Sequence, residues 1–193
     1  MERFADTGVE LSDFATHFVV ECPRCQGKAL VTTTQRLQCT SCHHTEEKGR
    51  WYGYATAYLS VKCRECHEQI RETFVWKNGS KTFHSVCKHC GDSTHYDASI
   101  MRHPMHEGRM TDSVFGLPLW LQDTFREHHF WAFNYEHLEA LNSYIQAGLR
   151  ERGIEPRNTI KKNSAMFSRL PAFMTKGSNR KDIIRMVDGL LRK

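Results

Sequence analysis

All eight cysteines of the 193-residue chain fall in CxxC pairs: Cys22/Cys25, Cys39/Cys42, Cys63/Cys66 and Cys87/Cys90. Thirteen residues separate the first two pairs (26–38) and 20 separate the last two (67–86). A CxxC pair folds as a tight turn that aims both sulfurs at one point. Two such turns supply a tetrahedral four-thiolate set, with Zn–S distances of about 2.3 Å. The repeated spacing predicts two zinc ions, one held by Cys22, Cys25, Cys39 and Cys42, the other by Cys63, Cys66, Cys87 and Cys90. A ribbon of roughly 35 residues buries too little to stand alone. Zinc binding, at about 10–16 kcal/mol for finger-sized peptides, is the term that would hold each ribbon together.

Residues 1–13 carry Glu2, Asp6, Glu10 and Asp13 and lack the basic start and apolar core of a secretion signal. The expected setting is cytoplasmic, where thiols stay reduced and metal is favoured over disulfides. Mean hydropathy is −0.59, and no apolar run approaches the ~18 residues of a membrane span. No membrane partner is expected.

Taken in order, residues 1–17 read as an arm docked on the first ribbon, with Phe4, Leu11, Phe14 and Ala15 on one short helical face. Residues 18–50 read as ribbon one. A strand over Thr16–Glu21 enters the first knuckle. Lys28–Thr34 is β-branched and strand-like, Leu37-Gln38 enters the second knuckle, and a third short strand covers His43–Glu47. Pro23 fixes φ inside the first knuckle, and Gly27 is positioned to supply a positive φ after it. Residues 51–98 read as ribbon two with a lead-in strand. From Tyr54 the chain alternates, with Tyr54, Thr56, Tyr58 and Ser60 on one side and Ala55, Ala57, Leu59 and Val61 on the other. Gln69–Lys77 alternates too, and Asn78-Gly79 predicts a hairpin between it and Ser80–Val86. Residues 99–117 read as a polar connector.

Residues 118–193 read as a basic α+β region. Leu119–Gln122 and His128–Phe133 are expected to pair across Asp123–Glu127. Asn134 is a good N-cap for a helix to about Arg152, with an apolar stripe of Leu138, Leu141, Ile145 and Leu149 and a stop at Gly153. A helical turn at Ser164–Arg169, a short helix or turn at Leu170–Met174 and a last helix over 180–192, capped by Ser178 or Asn179, complete the chain. The fold class is thus small metal-bound β, two four-cysteine zinc ribbons, plus a C-terminal α+β region with a hairpin and two to three helices.

The knuckle pattern of residues 18–48 resembles the zinc ribbons of the transcription-factor-IIB-like and rubredoxin-like classes, and residues 59–95 repeat it with a longer arm. The resemblance implies a metal-held three-stranded fold with the cysteines as ligands. It implies no particular activity. Four thiolates also bind iron, so a rubredoxin-like redox site is the metal alternative.

Other chemistries fit less well. Cys39–His43 and Cys63–His67 each spell CxxCH, the c-type haem attachment signature, but haem would leave Cys22/Cys25 and Cys87/Cys90 unexplained. His128, His129, Asn134 and His137 faintly resemble an HNH nuclease unit, with Glu127 where that unit usually has Asp; His129 would be its essential residue. His103, His106 and Glu107 lack HExxH order. There is no phosphate-binding loop, dinucleotide fingerprint or nucleophile elbow. No catalytic residues are assigned.

Charge points toward a binding role. The net charge of +5 hides an asymmetry: residues 150–193 carry 12 Lys+Arg against 4 Asp+Glu, while residues 1–149 carry 15 against 18. Lys161, Lys162, Arg169, Lys176, Arg180, Lys181 and Arg185 are the candidate contacts to a nucleic-acid backbone. Among the ribbon aromatics, Trp51, Tyr52, Tyr54, Tyr58, Phe74 and Trp76 would either stack on unpaired bases or fill the thin ribbon cores. The leading expectation is a zinc protein that binds DNA or RNA. The alternative is an adaptor docking on a protein partner through its ribbons.

Overall fold

The computed structural model describes residues 3–5, 8–77, 79–104, 108–147, 149–151 and 166–193. Its strands are β1 (Arg3–Ala5), β2 (Phe18–Glu21), β3 (Lys28–Val31), β4 (Leu37–Cys39), β5 (Thr45–Glu46), β6 (Tyr54–Lys62), β7 (Gln69–Trp76), β8 (Thr82–Val86), β9 (Ser93–Asp97), β10 (Ser99–His103), β11 (Gln122–Phe125), β12 (His128–Trp131) and β13 (Leu149–Glu151). The helices are α1 (Tyr135–Gln146), α2 (Ala172–Thr175) and α3 (Arg180–Leu191). The chain packs as two units. One comprises Met1–Glu47, Gly108–Asp112 and Pro118–Lys193; the other comprises Lys48–Glu107 and Ser113–Leu117. These units cut across the five consecutive segments expected from composition, because short stretches of 108–117 return to each.

In the first unit, β2, β3, β4 and β5 form an antiparallel meander. Val20, Ala29, Val31 and Leu37 are fully buried along it. The hairpin of β11 and β12 forms, but its register places Gln122 opposite Trp131 and Phe125 opposite His128. Arg126, at φ 56°, makes the turn tight. The apolar Leu119–Leu121 run therefore precedes the ladder. Leu119 bridges to Val20, and the Trp120 N–H donates to the Val19 carbonyl at 2.9 Å.

Asn134 caps α1 as expected, its side chain accepting from the His137 N–H. Leu138, Leu141 and Ile145 are buried. The helix ends six residues earlier than its stripe suggested: Ala147 turns extended at φ −61°, ψ 125°, and Leu149 lies in β13, paired in parallel with β1. A strand partner from the N-terminus captures the end of the stripe. Arg152 and Gly153 lie outside the described residues. Leu138, Leu141 and Ile145 share one core with Leu121 and Phe130 and with Ile183, Val187 and Leu190 of α3. Asn179 precedes α3 but gives it no side-chain cap; its amide donates to the Phe173 carbonyl at 3.1 Å.

The N-terminal arm packs on this helical core. Phe4 meets Tyr144 and Phe167 edge-on, with ring centroids 5.3 and 4.7 Å apart. Phe14 stacks on His137 at 4.9 Å.

In the second unit the strand order is β10-β6-β7, and β8 pairs with β9. Among the described residues β7 and β8, expected to form a hairpin across Asn78-Gly79, are not paired with each other. Lys62 faces Gln69, so the Cys63/Cys66 knuckle is itself the turn that lays β7 back along β6 for eight residue pairs. The Cys87/Cys90 knuckle likewise joins β8 to β9, with Val86 opposite Ser93. Asn78 lies outside the described residues. The two hairpins meet through side chains: Phe74 stacks on Phe83 at 4.7 Å, and Ala57, Leu59, Ile70, Tyr96 and Ala98 form a small core with Cys63 and Cys87. Ser99–His103, read as connector, is an edge strand on β6. Trp51 is buried and donates its indole N–H toward the carbonyls of Tyr54 and His103, both at 3.3 Å.

Candidate metal centres

Each of the four CxxC turns sits at the tip of a hairpin, and all four share one backbone device. The residue after the second cysteine has a left-handed conformation: Gln26 (φ 61°), His43 (φ 56°), His67 (φ 59°) and Gly91 (φ 79°). The first cysteine's N–H then donates across the turn, at 2.8 Å in every case, to the carbonyl of Gly27, His44, Glu68 or Asp92. The positive φ expected at Gly27 falls one residue earlier, on Gln26. Gly27 is glycine for space, since a Cβ there would stand 2.8 Å from the Ser41 hydroxyl. The histidines of the two CxxCH stretches are turn residues, of a type that tolerates positive φ better than most. Their position after the knuckle is the sequence signal for this device.

The turns bring the sulfurs together in two groups of four, each group lying within 4.8 Å. In the first, Cys22 and Cys42 Sγ are 3.7 Å apart and Cys25 and Cys39 3.6 Å. In the second, Cys63–Cys90 and Cys66–Cys87 are both 3.6 Å. A tetrahedral ion with Zn–S bonds of about 2.3 Å needs sulfur–sulfur edges of about 3.7 Å, so both cages fit. All eight thiols are free; a disulfide would need about 2.05 Å. The first cysteine of every pair is buried, whereas Cys25 and Cys90 are exposed.

Backbone N–H groups aim at the sulfurs and favour the thiolate; they prevail over burial at Cys39 and Cys87, whereas burial keeps Cys22 above its ordinary value. Arg24 N–H points at Cys22 Sγ at 3.4 Å, and Ser41 and Cys42 N–H at Cys39 Sγ at 3.3 and 3.4 Å. Burial pushes the Cys39 thiol up, but the Cys42 and Ser41 N–H groups and neighbouring thiols outweigh it and bring its pKa to about 6. The Cys90 and His89 N–H groups bring Cys87 to about 6 as well. Cys25 and Cys66 go the other way. The N–H groups of Gly27 and Glu68 pull them down, yet burial and crowding by the other sulfurs of each cage push them to about 12. Four sulfurs in one cage compete for negative charge, and a divalent cation at the centre is the partner that lets all four ionise. Each cage could hold one metal ion, and the all-sulfur tetrahedral set suits zinc.

Among the described residues no other group of three or more His, Cys, Asp or Glu side chains brings its ligand atoms within 4.8 Å of one another. The histidines considered for a nuclease site form no metal-binding cluster among the described residues, although His129 and His137 line one cavity. His128 stacks on Phe173 at 4.7 Å, His137 is buried and accepts the Phe133 N–H on Nδ1 at 3.2 Å, and Asn134 is engaged as the helix cap. His129 borders a cavity of about 290 Å³ that is lined mainly by apolar groups. Of the basic candidates, Lys161 and Lys162 lie outside the described residues. Arg169, Lys176 and Lys181 are exposed and Arg180 is half-buried. Arg185 pairs with Asp182 at 3.2 Å. No helix is long and apolar enough to cross a membrane among the described residues.

Comparison of the chain with protein-family models, with curated proteins and with solved structures finds no match. The two four-cysteine cages fit zinc ribbons on their geometry alone.

Proposed function

We propose that this is a two-zinc protein that binds nucleic acid, with zinc as the structural element and the charged surface as the working one. The uneven distribution of charge along the chain supports the reading. The second unit holds nine Lys+Arg against six Asp+Glu, and residues 150–193 hold 12 against 4. The remaining residues hold six against 12. The acidic balance of residues 1–149 is therefore an average over a basic second unit and an acidic remainder. Basic side chains concentrated in part of a chain favour counterion release on a phosphate backbone.

The test is a titration of the zinc-loaded full chain with single- and double-stranded oligonucleotides at about 50 and about 200 mM salt. Affinity is expected to fall steeply with salt and to weaken in a Lys176→Glu/Lys181→Glu variant. No binding at the lower salt overturns the reading. The competing adaptor role draws on residues 1–47, with four Lys+Arg against seven Asp+Glu. It would appear as salt-tolerant capture of one protein partner.

A further inference from the structure

One face of the β10-β6-β7 sheet is covered by the small core of the second unit, and the other is open. Cross-strand partners in an antiparallel ladder share a face, so the register identifies what the open face presents. Tyr54 lies opposite His103, Thr56 lies between Met101 and Val75, Tyr58 between Ser99 and Thr73, Ser60 opposite Arg71 and Lys62 opposite Gln69. This face holds four of the large apolar side chains that the protein exposes: Tyr54 at 61%, Tyr58 at 47%, Val75 at 77% and Met101 at 52%. It carries no Asp or Glu, while Lys62, Arg71 and His103 all lie on it. The other ribbon aromatics are engaged elsewhere: Trp51 is buried, Phe74 and Trp76 pack against the second unit's core, and the Arg50 guanidinium lies over the Tyr52 ring at 4.6 Å.

Tyr54 is also fixed in advance, because its ring stacks on the His103 ring at 4.7 Å and 13°. Tyr54 and Tyr58 are four residues apart on one strand, about 13 Å by the strand rise. Hydroxyl, thioether and aliphatic groups fill the space between them. A flat sheet with two separated aromatic rings, an apolar middle and cations without carboxylates matches a strand of unpaired bases with its phosphates alongside. A duplex hides its base faces and gains nothing from such rings.

We propose that the open face of β10-β6-β7 is a stacking platform for single-stranded nucleic acid, with Tyr54 and Tyr58 taking bases and Lys62 and Arg71 taking phosphates. This rests on the nucleic-acid reading above and specifies which strand form is bound and where.

Fluorescence anisotropy of the zinc-loaded full chain tests it, using short oligothymidylate, short oligouridylate and a duplex of equal length. Both single strands are expected to bind at least tenfold tighter than the duplex. The two arms tell DNA from RNA, and a preference for either supports the platform. Tyr54→Ser and Tyr58→Ser should each weaken single-strand binding by about 5- to 100-fold and leave duplex binding, zinc content and circular dichroism unchanged. Tyr58→Trp should retain binding. Lys62→Gln or Arg71→Gln should each lower the salt slope by about 0.7. Full single-strand affinity in both tyrosine variants overturns the platform and leaves the nucleic-acid reading standing. No binding of any strand by the wild-type chain at low salt overturns both. Salt-tolerant capture of a protein that is lost with Tyr54 and Tyr58 reassigns the face to a protein partner and overturns the platform.

Discussion

The side-chain amide of Asn134 donates to the Phe14 carbonyl at 2.7 Å and to the His17 carbonyl at 3.1 Å, while its oxygen accepts the His137 N–H at 2.9 Å. One buried residue thus caps α1 and ties down the N-terminal arm. Asn134→Ala is expected to cost about 2–3 kcal/mol, combining a lost cap with carbonyls left without a donor. Asn134→Asp separates the two roles, because a carboxylate still caps the helix but cannot donate. In that variant amide exchange should accelerate over residues 11–17 and stay slow in α1. Equal acceleration in both would show that cap and anchor are not separable.

Metal removal should affect the two units unequally. The core that joins α1 to α3 contains no cysteine. In the second unit, by contrast, two of the seven buried core residues are the cage cysteines Cys63 and Cys87. Exhaustive chelation should therefore abolish exchange protection in β6–β10 and leave α1 and α3 protected. Mass-spectrometric hydrogen exchange before and after chelation, with zinc counted at two per chain beforehand, checks it. Loss of protection throughout would mean that the helical core also depends on metal.

The left-handed residue that follows each CxxC turn gives a local handle on each cage. A β-branched side chain is strained in that conformation by about 1–2 kcal/mol. His67→Val should weaken zinc retention by the Cys63/Cys66/Cys87/Cys90 cage about 5- to 30-fold in competition with a chromogenic chelator, at about 1.4 kcal/mol per decade. His67→Gly should retain zinc like the wild type, since Gly91 already occupies the equivalent place in the fourth turn at φ 79°. Equal zinc retention in the Val and wild-type chains would remove the turn conformation as a determinant.

The parts of this fold that were legible in the sequence are those fixed by local chemistry. Cysteine spacing identified both cages. Asn134 marked the start of α1, and the alternation from Tyr54 gave the correct faces of β6. Asn78-Gly79 misled because β8 is paired with β9 through the Cys87/Cys90 knuckle, not with β7. The stripe through Leu149 misled because β1, far away in sequence, supplies a ladder there. Ser99–His103 was invisible as a strand, since an edge strand needs only Ile100 to face inward and its other side chains look like loop residues. The open platform could be read only after that edge was found, because Met101 and His103 complete it.

His137 supplies the last test. Its ring is 2% exposed, stacks on Phe14 and accepts the Phe133 N–H on Nδ1. Burial lowers its pKa from 6.5 to about 4. The folded chain thus refuses a proton that the unfolded chain accepts below pH 6.5. The neutral ring's contribution is present above pH 6.5 and is lost progressively as pH falls toward 4. At about 1.36 kcal/mol for each pH step of one unit, the loss at this one site can reach ~3 kcal/mol. Two-dimensional NMR of the ring nitrogens should find His137 neutral at pH 5.5, with the proton on Nε2. A ring that titrates near its ordinary value, or a proton on Nδ1, would contradict the buried acceptor role. Because the cysteine cages also release metal in acid, the stability comparison belongs to the difference between wild type and His137→Gln. The variant should start less stable at pH 7 and lose less between pH 6.5 and 4.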